Sequence, residues 1–250
     1  MRVIALCAGI GERLRPETYN TNKSLLEIGE KTLIEHFLDT LIYAEADIDI
    51  VHIVVGHYEY KFRKLLGGNY RGLKIQFLVN PLYKITGAAH SLYLASNIMN
   101  NNPCIILEGD HYLDPVLMKK LLDSEYENCL LVDKNTARLK YDEEVIAYGS
   151  SGMINHILWP PNNPKIALSF KLILGEALTI VKLSKQASNS LSTILESYLL
   201  EEGPAIREII EPINRLTLLH DIHYETTDGR KWIEVDFPQD LEEARSMKFE

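Results

Sequence analysis

Residues 2–14 read Arg2-Val3-Ile4-Ala5-Leu6-Cys7-Ala8-Gly9-Ile10-Gly11-Glu12-Arg13-Leu14, an apolar run broken by two glycines and closed by an arginine. A short apolar run bounded by glycine reads as a buried strand followed by a tight loop. Glycines there let the backbone approach an anion closely and turn successive N–H groups toward it. Arg13 can add a charged fork to phosphate oxygens, and Lys23, on a stretch without helical periodicity, is placed to meet the same anion. Two familiar phosphate loops are excluded by residue type: a dinucleotide fingerprint needs a third glycine where Leu14 stands, and a P-loop needs Lys followed by Ser or Thr after its last glycine. Taken alone, the same residues also suit a plain tight turn.

Outward from this loop, apolar residues recur at helical spacing over 33–44, further helices are read over 58–66, 88–99 and 115–122, and strands over 50–55, which is β-branched, 74–79, 103–107 and 129–132. That alternation predicts an α/β fold, a Rossmann-like, mainly parallel sheet flanked by helices. The pattern changes after Asp133 into an elaborated second half: shorter strands and turns over 141–184 with a loop near 159–164, helices over 190–201 and 205–213, a last strand at 232–235 and a helix from 238 to about 247. Ligands in such sheets bind beyond the carboxyl ends of the strands. The loops after Cys7 and after Leu107 both lie at such ends.

The chain has 250 residues, 46% of them hydrophobic, enough for one large core. Its formal charge of −9 argues against a nucleic-acid partner, which selects a basic stripe. An anionic substrate is still admitted if a few cations are focused in one cleft. Cys7, Cys104 and Cys129 are odd in number, sit among apolar residues and lack zinc-ligand spacing. Buried free thiols in a cytoplasmic protein are expected. No signal-peptide layout precedes β-like residues 2–7, and no apolar run approaches the roughly 18 residues that span a bilayer, so no membrane partner is expected.

Residues 3–36 as a whole resemble the N-terminal signature of the nucleotidyltransferase family that makes nucleotide-activated sugars and alcohols. That signature is an apolar strand, Ala-Ala-Gly-x-Gly-x-Arg-Leu, a Pro-Lys pair, then Gly-x-x-Pro-Leu-Ile-Glu. Gly9, Gly11, Arg13, Leu14, Pro16, Lys23, Leu25, Gly29, Leu33, Ile34 and Glu35 stand in register with it, while Cys7 replaces an alanine, Asn22 the proline before Lys23, and Thr32 a proline. The resemblance implies Mg²⁺-dependent transfer of a nucleotidyl group from a nucleoside triphosphate to a small acceptor, with pyrophosphate released. It assigns Arg13 and Lys23 to the leaving pyrophosphate, and Leu6, Ala8, Gly9, Gly11, Gly87, Ala88 and Glu108 to the nucleotide. It also implies a single nucleotidyltransferase domain over 1–250, with the nucleotide on 1–133 and the acceptor and a second metal aspartate on 134–250.

Leu107-Glu108-Gly109-Asp110 and Trp232-Ile233-Glu234-Val235-Asp236-Phe237-Pro238-Gln239-Asp240 resemble the family's two metal-binding segments, which makes Asp110 and Asp236 the expected Mg²⁺ ligands. Mg²⁺ prefers hard oxygens and often uses only one or two protein carboxylates. Strand-end aspartates are also turn residues and helix caps; Asp236 precedes a Pro-started helix, and Glu234 and Asp240 are nearby alternatives.

Ser91-Leu92-Tyr93-Leu94, Val132-Asp133-Lys134 with residues 141–145, and Gly175-Glu176 leading to Lys182-Leu183-Ser184 are similar to the cytidylyltransferase branch, which acts on phosphocholine, inositol phosphate and phosphonates. CTP and a phosphate- or phosphonate-bearing acceptor are therefore expected. An aromatic cage for a quaternary ammonium would draw on Tyr83, Tyr112, Tyr148 and Trp159; an anionic acceptor would draw on Lys134, Arg138 and Lys140. Tyr112, Lys134 and Glu176 are taken as acceptor-site candidates. The rivals are a sugar-1-phosphate nucleotidyltransferase using UTP, GTP or dTTP, and a non-catalytic nucleotide sensor. A sensor has little need for both metal aspartates and the leaving-group cations. The assembly is left open, a homodimer included.

Overall fold

The computed structural model describes residues 1–135, 145–150, 152–158, 173–203 and 209–249. Its strands are β1 (Arg2–Cys7), β2 (Glu27–Ile28), β3 (Lys31–Thr32), β4 (Ile50–Val55), β5 (Asn69–Tyr70), β6 (Leu73–Val79), β7 (Cys104–Glu108), β8 (His111–Leu113), β9 (Cys129–Asp133), β10 (Ile146–Ser150), β11 (Met153–Leu158), β12 (Ile173–Leu183), β13 (His223–Thr226) and β14 (Trp232–Glu234). Its helices are α1 (Leu33–Tyr43), α2 (Glu59–Leu66), α3 (Ala88–Tyr93), α4 (Ser96–Met99), α5 (Pro115–Asp123), α6 (Lys185–Glu202), α7 (Ile210–Thr217) and α8 (Pro238–Ser246).

The N-terminal run is a central strand. β1 pairs in parallel with β4 and β7, and β4 in parallel with β6, so the first half forms the parallel order β6-β4-β1-β7. Beyond β7 the sheet becomes mixed. The eleven-residue β12 enters antiparallel to both β7 and β9, and β13, β11 and β10 continue the sheet outward. Parallel pairing is thus the rule of the first half and not of the second. Hydrophobic periodicity reports which faces are buried and says nothing of a strand's neighbour or direction.

Side-chain alternation sorts the strands onto two layers. Val3, Ala5 and Cys7 of β1 join Val51, Ile53 and Val55 of β4 on the face packed by α1, α2 and α5 through Phe37, Leu38, Phe62 and Leu117. Ile4 and Leu6 join Val54 and Ile106 on the opposite face, covered by α3, α6 and α7 through Leu92, Leu191, Leu195 and Ile213. A smaller third cluster of Leu14, Leu26, Ile28, Leu33, Tyr112, Ile233, Val235, Leu241 and Ala244 ties the foot of the glycine loop to the β8–β14 ribbon and α8.

α1 starts where the sequence pattern places it, because Thr32 and Glu35 form a capping box. The helix expected over 88–99 is broken: Ala95 N–H donates to Leu92 O, three residues back, and the chain restarts as α4. α6 begins at Lys185, ahead of the expected Ser190, because the Ser184 hydroxyl accepts from Ala187 N–H. Of the helix expected over 205–213, residues 205–208 lie outside the described residues, and α7 runs on to Thr217. All three cysteines are free and buried. Among the described residues, no helix is long and apolar enough to cross a membrane.

Candidate active site

The carboxyl ends of β1 and β7 open into a cleft of about 530 Å³. Gly11 sits there at a φ of 69°, and a side chain on it would meet Thr18 and Lys23 at 3.1 and 3.2 Å. After β7, Gly109 N–H donates to Leu6 O at 3.0 Å. A Cβ on Gly109 would lie 2.3 Å from Cys7 Sγ and 2.7 Å from Ser24 Oγ, so only glycine fits and Asp110 is delivered at a fixed place.

Asp236 reaches the same place from the far end of the chain. β14 pairs antiparallel with β8, setting Glu234 opposite His111, and Val235 N–H donates to Asp110 O at 3.0 Å. The helix-capping role that competed for Asp236 belongs to Asp240, whose carboxylate accepts from Asp236 N–H at 3.0 Å and Phe237 N–H at 2.7 Å. The Asp236 carboxylate is left to the cations: Arg13 NH2 stands 2.6 Å from Oδ2 and Lys23 Nζ 2.6 Å from Oδ1. Lys23 Nζ also lies 2.7 Å from Asp110 Oδ2.

This charge arrangement fixes the protonation states. Burial works to raise the Asp110 carboxyl, but the Lys23 ammonium and His111 outweigh it and hold it well below the usual carboxylate range. Lys23, opposed by burial, is held far above its ordinary value by Asp110, Asp236 and Glu234. Glu234 is pushed up to about 8, first by burial and then by the Asp110 charge. His111 is raised to about 9, the Asp110 carboxylate beside it overcoming burial.

Asp110, His111 and Glu234 offer ligand atoms all within 4.8 Å of one another. Asp110 Oδ1 is buried without a hydrogen bond, although His111 Nδ1, which also lies 3.2 Å from Glu108 O, is 3.1 Å away. An orphaned carboxylate oxygen beside further, partly buried carboxyls suits a hard divalent cation.

Leu6, Ala8, Gly9, Gly11, Arg13, Lys23, Gly87, Ala88, Glu108, Asp110 and Asp236 all line the cleft. Glu108 also accepts from Thr179 Oγ1 at 3.2 Å. The acceptor-site candidates are not among the lining residues. Tyr112 is a correction: its ring is buried in the third cluster, packed edge-on to His36 and against Phe249, because β8 turns it away with the ribbon's apolar side. Lys134 is exposed with its ammonium over the Tyr224 ring, and Glu176 lies on β12 opposite Asp133 and Ile146. Tyr148 is buried, while Tyr83 alone of the cage candidates lines the cleft among the described residues. Arg138, Lys140 and Trp159 lie outside the described residues.

Sequence reading missed the part played by Asn22, treated only as a departure from proline. Its side chain is buried, donates to Cys7 O, Gly9 O and His57 O at 3.0, 2.9 and 3.3 Å, and accepts from Ser24 N–H at 2.9 Å. It ties the glycine loop's carbonyls to the 3₁₀ turn that carries Lys23 and caps that turn. An Asn directly before Lys23 was the available signal, since Asn hydrogen-bonds its own backbone neighbourhood.

The profile of the nucleotidyl transferase family matches residues 2–154. CMP-5'-(3-aminopropyl)phosphonate synthase of Streptomyces rubellomurinus is 32% identical over 121 residues, 48% of this chain and 19% of that protein. This chain spans about half the length of the other leading curated relatives, 53%, 54% and 46%. Among solved structures, CTP:phosphocholine cytidylyltransferase from Streptococcus pneumoniae superposes with a TM-score of 0.74 at 20% identity, over 98% of this chain and 97% of that one. A UDP-glucose pyrophosphorylase complexed with UDP-glucose superposes with a TM-score of 0.79 at 14% identity, over 98% and 97%. At these identities the superpositions show a shared fold.

Proposed function

The chain belongs to the nucleotidyl transferase family, and from that premise we propose that it transfers a cytidylyl group from CTP to a small phosphate- or phosphonate-bearing acceptor and releases pyrophosphate. The observation that carries this reading is the joining of Asp110, Asp236, Lys23 and Arg13 in one network beside the glycine loop. The likeness to a CMP-phosphonate synthase, and the fold shared with a phosphocholine cytidylyltransferase, support the choice of CTP and of acceptor class.

An acceptor oxygen attacks the α-phosphorus in line, and the bond from that phosphorus to the bridging oxygen breaks. The nucleophile is already an anion, so no covalent enzyme intermediate is required, and catalysis is positioning with charge stabilisation. Glycine-loop amides and Arg13 hold the charge that grows on pyrophosphate, and Lys23 joins them on leaving the aspartates. Gly87 and Ala88 leave room for the base edge against backbone. Asp110 and Asp236, with Glu234 alongside, would hold Mg²⁺, which supplies Lewis-acid polarisation of the phosphates when bound.

The test is pyrophosphate release in Mg²⁺, with CTP, UTP, GTP, ATP and dTTP crossed against phosphocholine, inositol phosphate, aminoalkylphosphonates and sugar 1-phosphates. Release confined to CTP with a phosphomonoester or phosphonate is expected. Release with UTP, GTP or dTTP and a sugar 1-phosphate would move the chain to the sugar-activating branch. Triphosphate binding with no release for any acceptor would favour a sensor.

A further inference from the structure

Lys23 Nζ contacts both aspartates at once, at 2.7 and 2.6 Å. Its side chain is largely buried, and Arg13 occupies the remaining oxygen of Asp236. The ammonium therefore stands where a cation bridging Asp110 and Asp236 would place its charge. We propose that Lys23 is a specificity-determining residue of the metal site: it excludes free divalent cations and admits the ion only in company with a triphosphate. This rests on reading Asp110 and Asp236 as the metal-holding pair.

A divalent ion entering alone would face an ammonium in direct contact with both its carboxylates, and would bring no anion to draw that ammonium away. A metal–triphosphate complex brings such a partner. Its phosphate oxygens take Lys23 from the aspartates as the ion takes the aspartates from Lys23, and the lysine's flexible stem permits the swing. Asn22, fixed by its four hydrogen bonds, holds the backbone of the turn still while the side chain exchanges.

The experiment measures equilibrium binding of Mn²⁺ alone, by its paramagnetic signal, in the absence of nucleotide. Lys23→Met should bind Mn²⁺ more tightly than wild type by about tenfold or more, and Lys23→Arg, which keeps the cation, should bind as weakly as wild type. Lys23→Gln repeats the measurement if methionine impairs folding. Equal or weaker Mn²⁺ binding by both neutral variants overturns the exchange. Asp110→Asn in each background separates the two readings: binding that it abolishes keeps the metal pair, whereas binding that it leaves untouched removes the metal pair and the proposal together.

Discussion

Gly109→Ala tests how the metal aspartate is seated. The added methyl would lie 2.3 Å from Cys7 Sγ, 2.7 Å from Ser24 Oγ and 3.2 Å from Leu6 O. Carbon prefers about 3.5–4.0 Å from its neighbours, so the sulfur contact is more than an ångström too short. The backbone cannot withdraw freely, since Gly109 N–H is bonded to Leu6 O. Overpacking of this kind costs about 1–3 kcal/mol. At about 2 kcal/mol, a domain of this size should melt roughly 4–8 °C lower. Cys7→Ala alone removes one buried sulfur and should cost about 1 kcal/mol. In the double variant the new methyl takes the vacated space and the Ser24 hydroxyl changes rotamer, so the total should be about 1 kcal/mol where additivity demands about 3. Urea unfolding of the four proteins measures the cycle. Pyrophosphate release should follow it, falling in Gly109→Ala and recovering in the double variant. Costs that add within about 0.5 kcal/mol would refute the steric argument.

Asp110→Asn should lower pyrophosphate release by about 100-fold or more while the protein still unfolds cooperatively; unimpaired release would remove that carboxylate from the mechanism. Asn22→Ala strands the buried Cys7 carbonyl and removes the bonds to the partly buried Gly9 and His57 carbonyls, so a loss of about 1–3 kcal/mol in urea unfolding is expected together with weaker triphosphate binding; intact binding would confine Asn22 to stability. His52 is buried with neither ring nitrogen bonded, and burial, with a smaller contribution from Arg2, pushes it down to about 4. Its folded value is below the ordinary 6.5, so the unfolded chain binds the extra proton, and stability present above pH 6.5 is lost as pH falls toward 4. About 2 kcal/mol should go between pH 6.5 and pH 5, and His52→Val should remove that slope; equal slopes for both proteins would count against it.

Much of the first half was legible in the sequence because local signals agree there. β1, β4, β6 and β7 are short apolar runs, each followed by a turn, and the helical spacing of apolar residues from Leu33 marks α1. The cleft-lining residues were legible for a related reason: the glycine loop and Gly109-Asp110 follow strands directly, so their position at strand ends follows from chain order. The acceptor side was not. Whether Tyr112 faces a cavity or a core depends on the way β8 pairs with a strand more than a hundred residues later, and no local pattern encodes that. The antiparallel entry of β12 between β7 and β9 is equally non-local. Asn22 was legible as an oddity and opaque as a device, because its three carbonyl partners come from two separate loops.

The bond between Arg13 and Asp236 spans 223 residues of chain. During synthesis on the ribosome, the parallel strands β1, β4, β6 and β7 all emerge before residue 109, but β14 and Asp236 emerge only near the end. Until then Arg13 has no Asp236 to hold it and Lys23 has at most one of its two carboxylates. Closing so long a loop is a late event in folding. A stalled or truncated nascent chain can therefore possess a glycine loop without possessing a loaded cleft. Completion of the ion network is a chemical record that translation has passed residue 236.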